Sequence, residues 1–175
     1  MTHRGFTLIE VLVTAAVAVM ITGFLVTNFS RSRNELAATA PSILGDIRRA
    51  QSLAIAGSYH EDSLRCGFGI VFEQDAYTIY AGPPATGSCV FSDQKTSTTG
   101  TEVERIALSD TLEFKTLGDI YFVPPLPYTY LDGVLNEPTP LDIVLGVRGK
   151  TCGPTTCRTI RVDRAGRITA ISDEE

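Results

Sequence analysis

The chain is poor in the residues that carry catalysis. It has two histidines in 175 residues, His3 and His60. A Cys–His nucleophile would rest on His60, beside Glu61 and Asp62, where the simplest role is a polar loop. No Gly-x-Ser-x-Gly, phosphate-binding loop, His-Glu-x-x-His or dinucleotide fingerprint occurs, so the common hydrolase, nucleotide and zinc-protease chemistries lack their scaffolds. The four cysteines, Cys66, Cys89, Cys152 and Cys157, include no Cys-x-x-Cys pair, the usual spacing of a structural zinc site. No Asp/Asn-rich loop has calcium-ligand spacing, so Glu61/Asp62 and the Asp173-Glu174-Glu175 tail read as solvated charge. There is no internal repeat. The reading is therefore of a non-enzyme, with no catalytic residue, metal or cofactor expected.

A second scarcity is more informative. From Phe6 to Phe29 the only charged residue is Glu10. As a helix this stretch spans about 36 Å, enough for the ~30 Å hydrocarbon core. A lone carboxylate there costs roughly 2.5–3.5 kcal/mol on insertion scales, which makes it a functional residue by default. An ordinary signal anchor has no need of it. The flanking basic residues, Arg4 before and Arg31 and Arg33 after, do not orient the span.

The run Gly5-Phe6-Thr7-Leu8-Ile9-Glu10 and onward, GFTLIEVLVTAAVAVM, resembles the processing site and first helix of type IV pilins and type II secretion pseudopilins. The resemblance covers about the first 25 residues. It implies that prepilin peptidase removes the leader 1–5, cutting after Gly5, and methylates the new amine of Phe6. It implies that Glu10 pairs with the N-terminal amine of an adjacent subunit and sets the filament register. It also implies a single-pass inner-membrane protein with its C-terminal part in the periplasm or at the cell surface. The partners it implies are membrane lipid before assembly, then an inner-membrane assembly platform and other pilin or pseudopilin subunits.

The chain divides accordingly into a leader (1–5), a transmembrane or filament-core helix (6–29), its amphipathic continuation (30–57) and a β-rich extracytoplasmic domain (58–175). In the continuation, Leu36, Ile43, Ile47, Ala50 and Ala54 keep helical spacing. Its segment Ile47–Ala54 resembles the Ala-rich helix that packs on the sheet in pseudopilins. Pro41 predicts a kink or break at 37–41, and Gly57 a C-cap. Beyond Ser58, strands are expected at 67–72 and 77–80 as a hairpin, then at 103–108, 111–115, 119–123 and 141–147. Ile160 and Val162 should pair with Ile168 and Ala170 across an Arg164-Ala165-Gly166 turn. Residues 82–100 read as a long loop. The fold class is α+β: a long N-terminal helix packed on an antiparallel sheet domain.

For a domain outside the membrane the cysteines suggest two disulfides, and three pairings are open. Cys152–Cys157 would close the tight CGPTTC loop and leave Cys66–Cys89. A zinc site or free thiols are the alternatives.

Charge is uneven. The net charge is −5, yet residues 148–167 carry Arg148, Lys150, Arg158, Arg161, Arg164 and Arg167 against Asp163 alone, a net +5, leaving −10 for the rest. This cluster is the candidate DNA-binding patch; exposed arginines paired with nearby acids are the plainer reading. Thr159–Ile168 resembles the terminal hairpin of the GspH/FimT group of minor pilins. The DNA-binding members carry Gly-Arg-x-Arg, and this chain has Gly166-Arg167-Ile168-Thr169, without the second arginine. Three function classes follow: a minor pilin or pseudopilin, a pilus-tip module for DNA uptake or adhesion, and an unrelated membrane-anchored surface protein.

Overall fold

A computed structural model describes residues 7–85, 89, 100–124, 128–135 and 137–171, with side chains described for all of these except 25–30. Among the described residues one long helix, α1 (Leu8–Ile55), precedes twelve strands. These are β1 (Tyr59–His60), β2 (Ser63–Leu64), β3 (Phe68–Phe72), β4 (Ala76–Ala81), β5 (Thr101–Ala107) and β6 (Leu112–Phe114). They continue with β7 (Gly118–Val123), β8 (Tyr128–Leu131), β9 (Val134–Leu135), β10 (Leu141–Val147), β11 (Cys157–Val162) and β12 (Ile168–Ile171). The architecture is α+β, an N-terminal helix packed on antiparallel sheet.

Two sheets share that helix. One has the order β5-β4-β3-β7-β8-β9 and the other β12-β11-β10-β6; β1 and β2 form a separate hairpin. The apolar stripe of α1 explains the arrangement. Leu36, Ile43, Ile47, Ala50 and Ala54 are all at most 1% exposed. They meet Phe68, Ile70 and Phe122 of the first sheet and Ile143, Leu145, Ile160 and Val162 of the second. Strand alternation then sorts β4, with Tyr77, Ile79 and Ala81 in the core under the helix and Tyr80 on the opposite face. On that opposite face Tyr80 stacks on Tyr121 at 5.7 Å and donates to Asp119 Oδ1 at 2.5 Å. Gly69 makes room, because a Cβ there would sit 2.6 Å from the Tyr80 ring and 2.5 Å from the Ile120 carbonyl.

The expected break at Pro41 does not occur. The helix runs through it to Ile55, with Pro41 inside. One missing backbone bond is outweighed because Leu36 and Ile43, on either side, are both packed in the core. The helix ends as the sequence suggests, with Gly57 at φ +59°. Ser58 N–H donates to the Leu53 carbonyl and Gly57 N–H to the Ala54 carbonyl, the paired bonds of a Schellman stop.

Two hairpins were not foreseen. Glu61 and Asp62 (φ 49° and 58°) turn β1 into β2, and Asp132-Gly133 (φ 50° and 79°) turn β8 into β9. Both have positive φ at the two central positions, the twist that suits two-residue hairpins. Most of the expected 82–100 loop, and Pro125–Pro127, lie outside the described residues.

Candidate functional site

The most unusual surface is the first part of α1. Leu8 is 82% exposed, Met20 80%, Val19 73% and Phe24 70%, whereas Leu36 is 1% exposed. A helix apolar all round is stable in water only when something covers it. Its polar side chains are arranged to match. Thr14 Oγ1 donates to the Glu10 carbonyl at 2.9 Å, and Thr22 Oγ1 to the Ala18 carbonyl at 2.5 Å. Each hydroxyl is thereby satisfied within its own helix, as an apolar environment requires.

Glu10 lies in the first helical turn, where a carboxylate favours the helix dipole. None of the described cations pairs with it. The nearest positions on its own helix face, Val13 and Thr14, offer none. Gly5 and Phe6, the expected processing residues, lie outside the described residues. The described apolar side chains run from Leu8 to Phe24, about 25 Å of helix. Among the described residues no helix is long and apolar enough to cross a membrane. The expected span 6–29 extends beyond the described side chains at both ends.

Where the arm meets the domain, polar contacts fix its direction. Glu35 accepts from Arg31 Nε at 3.0 Å, from Ser109 Oγ at 3.2 Å and from Thr111 Oγ1. The Thr111 hydroxyl, and after it Arg31, hold this carboxyl below the usual carboxylate range. Further along, Tyr77 Oη donates to Asp46 Oδ2 at 2.5 Å, and Arg49 pairs with Glu104 at 2.7 Å. Gln51 Nε2 donates to the Gly166 carbonyl at 2.8 Å, which ties α1 to the β11–β12 turn. Sequence reasoning missed these anchors because each joins residues far apart in the chain.

The cysteines are joined as Cys66–Cys89 and Cys152–Cys157, with Cα separations of 5.3 and 5.2 Å. Cys66 and Cys157 are buried. His60 sits in β1, and its carbonyl accepts from the buried Arg65, which also pairs with Glu61. Among the described residues no group of three or more His, Cys, Asp or Glu side chains could hold a metal ion.

The six basic residues do not form one patch. Arg161 lies opposite Asp142, while Arg148 lies six positions further along, just past the end of β10 and about 20 Å away. Sequence proximity misleads here because β10 and β11 are antiparallel. Arg161 binds Asp142 through two bonds of 2.7 Å, Arg148 binds Asp75 at 2.6 Å and Arg167 binds Asp163 at 3.0 Å. Arg158 caps the Pro154 and Cys157 carbonyls. Lys150 is exposed beside Arg148. Only Arg161, Arg164 and Arg167 share a cleft, at the β11–β12 turn.

No curated protein and no solved structure matches the chain. The match that does occur falls on the arm: residues 1–26, which hold Gly5, Phe6 and Glu10, fit the family model of the Prokaryotic N-terminal methylation motif, a signature of type IV pilin-like proteins.

Proposed function

We propose that this chain is a minor pilin or type II secretion pseudopilin of GspH/FimT type, a structural subunit of an extracytoplasmic filament. One observation carries the reading: an uncovered apolar arm with a single carboxylate, in continuous helix with a spine docked on antiparallel sheets. The motif at residues 1–26 supports it. In this reading residues 1–5 are the leader, residues 6–29 rest in the inner membrane, residues 30–57 form the spine and residues 58–175 lie outside. Cleavage after Gly5 exposes the Phe6 amine, which is methylated. An assembly platform then draws the arm out of lipid into a bundle of similar arms, so that its apolar surface exchanges one cover for another. Glu10, alone among apolar side chains, takes the amine of a neighbouring subunit as its cation, because a buried carboxylate needs a partner.

Intact mass of the full chain, expressed with and without prepilin peptidase, tests this. Loss of residues 1–5 with methylation, only when the peptidase is present, is the expected result. An uncut N-terminus in its presence would leave the reading of an unrelated anchored surface protein. DNA uptake is not favoured by the geometry, since Arg148, Arg161 and Arg167 are already paired with carboxylates.

A further inference from the structure

The core face of the second sheet is not fully roofed. Its edge strand is β12, where Ala170 lies across the ladder from the buried Ile160. Alternation puts Ala170 on the same face as the core residue Ile168, yet Ala170 is exposed. Helix α1 covers the start of the strand, where Gln51 holds the Gly166 carbonyl, and leaves its end open. The result is a groove of about 400 Å3, walled by Ala37, Ala40 and Leu44 of α1 and by Ala170 and Ile171 of β12. Among the described residues that line it, only Arg158 is charged. That guanidinium bonds the Pro154 and Cys157 carbonyls, and none of the described acids pairs with it.

We infer that this groove receives the arm of a second copy of the chain, with that copy's Glu10 against Arg158. The inference rests on the filament reading and names the surface that covers an arm's outer side. An arm in a bundle buries one stripe against its fellows. This arm is apolar all round, with Leu8, Val13, Val17 and Met20 each more than half exposed. Once lipid is gone, the faces turned away from the bundle need an apolar cover of their own. The groove supplies it. Its Ala37 and Ala40, like Ala15 and Ala16 on the arm, are small enough for two helices to come close. Charge agrees: the groove has one cation without a carboxylate, and the described arm has one carboxylate without a cation. A carboxylate accepts several bonds, so Arg158 adds to the neighbouring amine and does not replace it. The chain cannot fill its own groove, because α1 is continuous from Leu8 to Ile55 and carries its own arm away. The register follows. Gln51 meets the start of β12, so lower-numbered α1 residues lie toward its end, where Ile171 pairs with Thr159 and Arg158 comes next. Ala37 is thus at the Arg158 end. For parallel copies drawn from one membrane, Glu10 beside Ala37 sets residues 10–17 along residues 37–44, an axial offset of about 40 Å.

The test uses the full chain in detergent, an equal mixture of 14N- and 15N-labelled protein with p-benzoylphenylalanine at the exposed position 170. Diluting the detergent below its micelle concentration strips the arm's cover, and light then joins the probe to whatever lies against it. The expected product links position 170 to an arm peptide within residues 10–17, with one label on each half. Ala40→Trp, which fills the groove, should lower its yield at least several-fold. Arg158→Gln, which leaves the apolar walls intact, should do the same, as should Glu10→Gln. Links to the domain alone, links carrying one label only, or no link at all would overturn the inference. So would an arm link of undiminished yield in Ala40→Trp and Arg158→Gln, which would mark unspecific clustering of apolar surface. The sample is run with and without prepilin peptidase, and loss of residues 1–5 is read in the same digest. A failure of the filament reading is therefore scored separately from a failure of the groove.

Discussion

Replacing Glu10 by valine should separate insertion from assembly. In the membrane the substitution removes a charge that costs roughly 2.5–3.5 kcal/mol and adds a residue that inserts favourably, a gain of about 3 kcal/mol or some hundredfold in partition. In a bundle of arms the sign reverses. Glu10 is surrounded along its helix by Leu8, Ile9, Val11 and Val13, and none of the described cations pairs with it. On the proposed filament reading its partner is a free amine or a group of another subunit. Removing one member of a buried, hydrogen-bonded ion pair costs about 3–5 kcal/mol, because the other charge is left desolvated. Incorporation should therefore drop between about a hundredfold and a few thousandfold, while membrane content holds or rises. Glu10→Gln, which keeps the shape without the charge, should behave like valine in assembly. The assay compares the chain in membrane and sheared-filament fractions. Wild-type incorporation of the valine variant would refute the pairing argument, and poorer insertion would refute the account of the arm.

Gly5→Val, checked by intact mass with prepilin peptidase present, should leave residues 1–5 in place, since a side chain enters the position just before the cut. Tyr77→Phe keeps the buried ring but removes the bond to Asp46, and should lower stability by about 1.5–3 kcal/mol in thermal unfolding. Burial, and then the Asp46 carboxylate, hold the Tyr77 hydroxyl well above the ~10 of an unfolded tyrosine. Its contribution is therefore whole below pH 10 and is lost as pH rises beyond it, so the gap to Tyr77→Phe should narrow in alkali. Removing Cys66–Cys89 or Cys152–Cys157 by paired alanines should cost about 3 and about 2 kcal/mol, the order set by loop lengths of 23 and 5 residues in chemical denaturation.

What was legible in the sequence is what local pattern controls. The stripe Leu36–Ala54 has one period and one burial solution, and all five of its apolar positions are buried. The closing hairpin was legible to the residue, with Ile160 opposite Ala170 and Val162 opposite Ile168, because a one-residue slip would turn both strands inside out. The hairpin at Asp132-Gly133 carries a readable turn signal, Asp-Gly between Tyr130-Leu131 and Val134-Leu135. Pro41 shows the limit of a local rule: the helix is not broken there, with Leu36 and Ile43 packed in the core on either side. The sequence leaves the basic cluster open between a DNA patch and arginines paired with nearby acids, because its members are neighbours in sequence but are placed by an antiparallel pair, and because Asp75 and Asp142 come from elsewhere in the chain. No pattern within residues 148–167 could have shown that.

The unbroken α1 has a mechanical meaning. If, as proposed above, the arm is drawn from lipid during assembly, it is under tension and the domain follows it. Because the helix passes without a joint from the arm into the core, that pull travels along its backbone hydrogen bonds and reaches both sheets together. The contacts of Leu36, Ile43 and Ile47 then share the load in parallel as shear along the stripe, instead of giving way one after another as in peeling. The one rung missing from this ladder, at Pro41, lies between two buried residues. The point where the rod would yield first is thus clamped on both sides by the domain it carries.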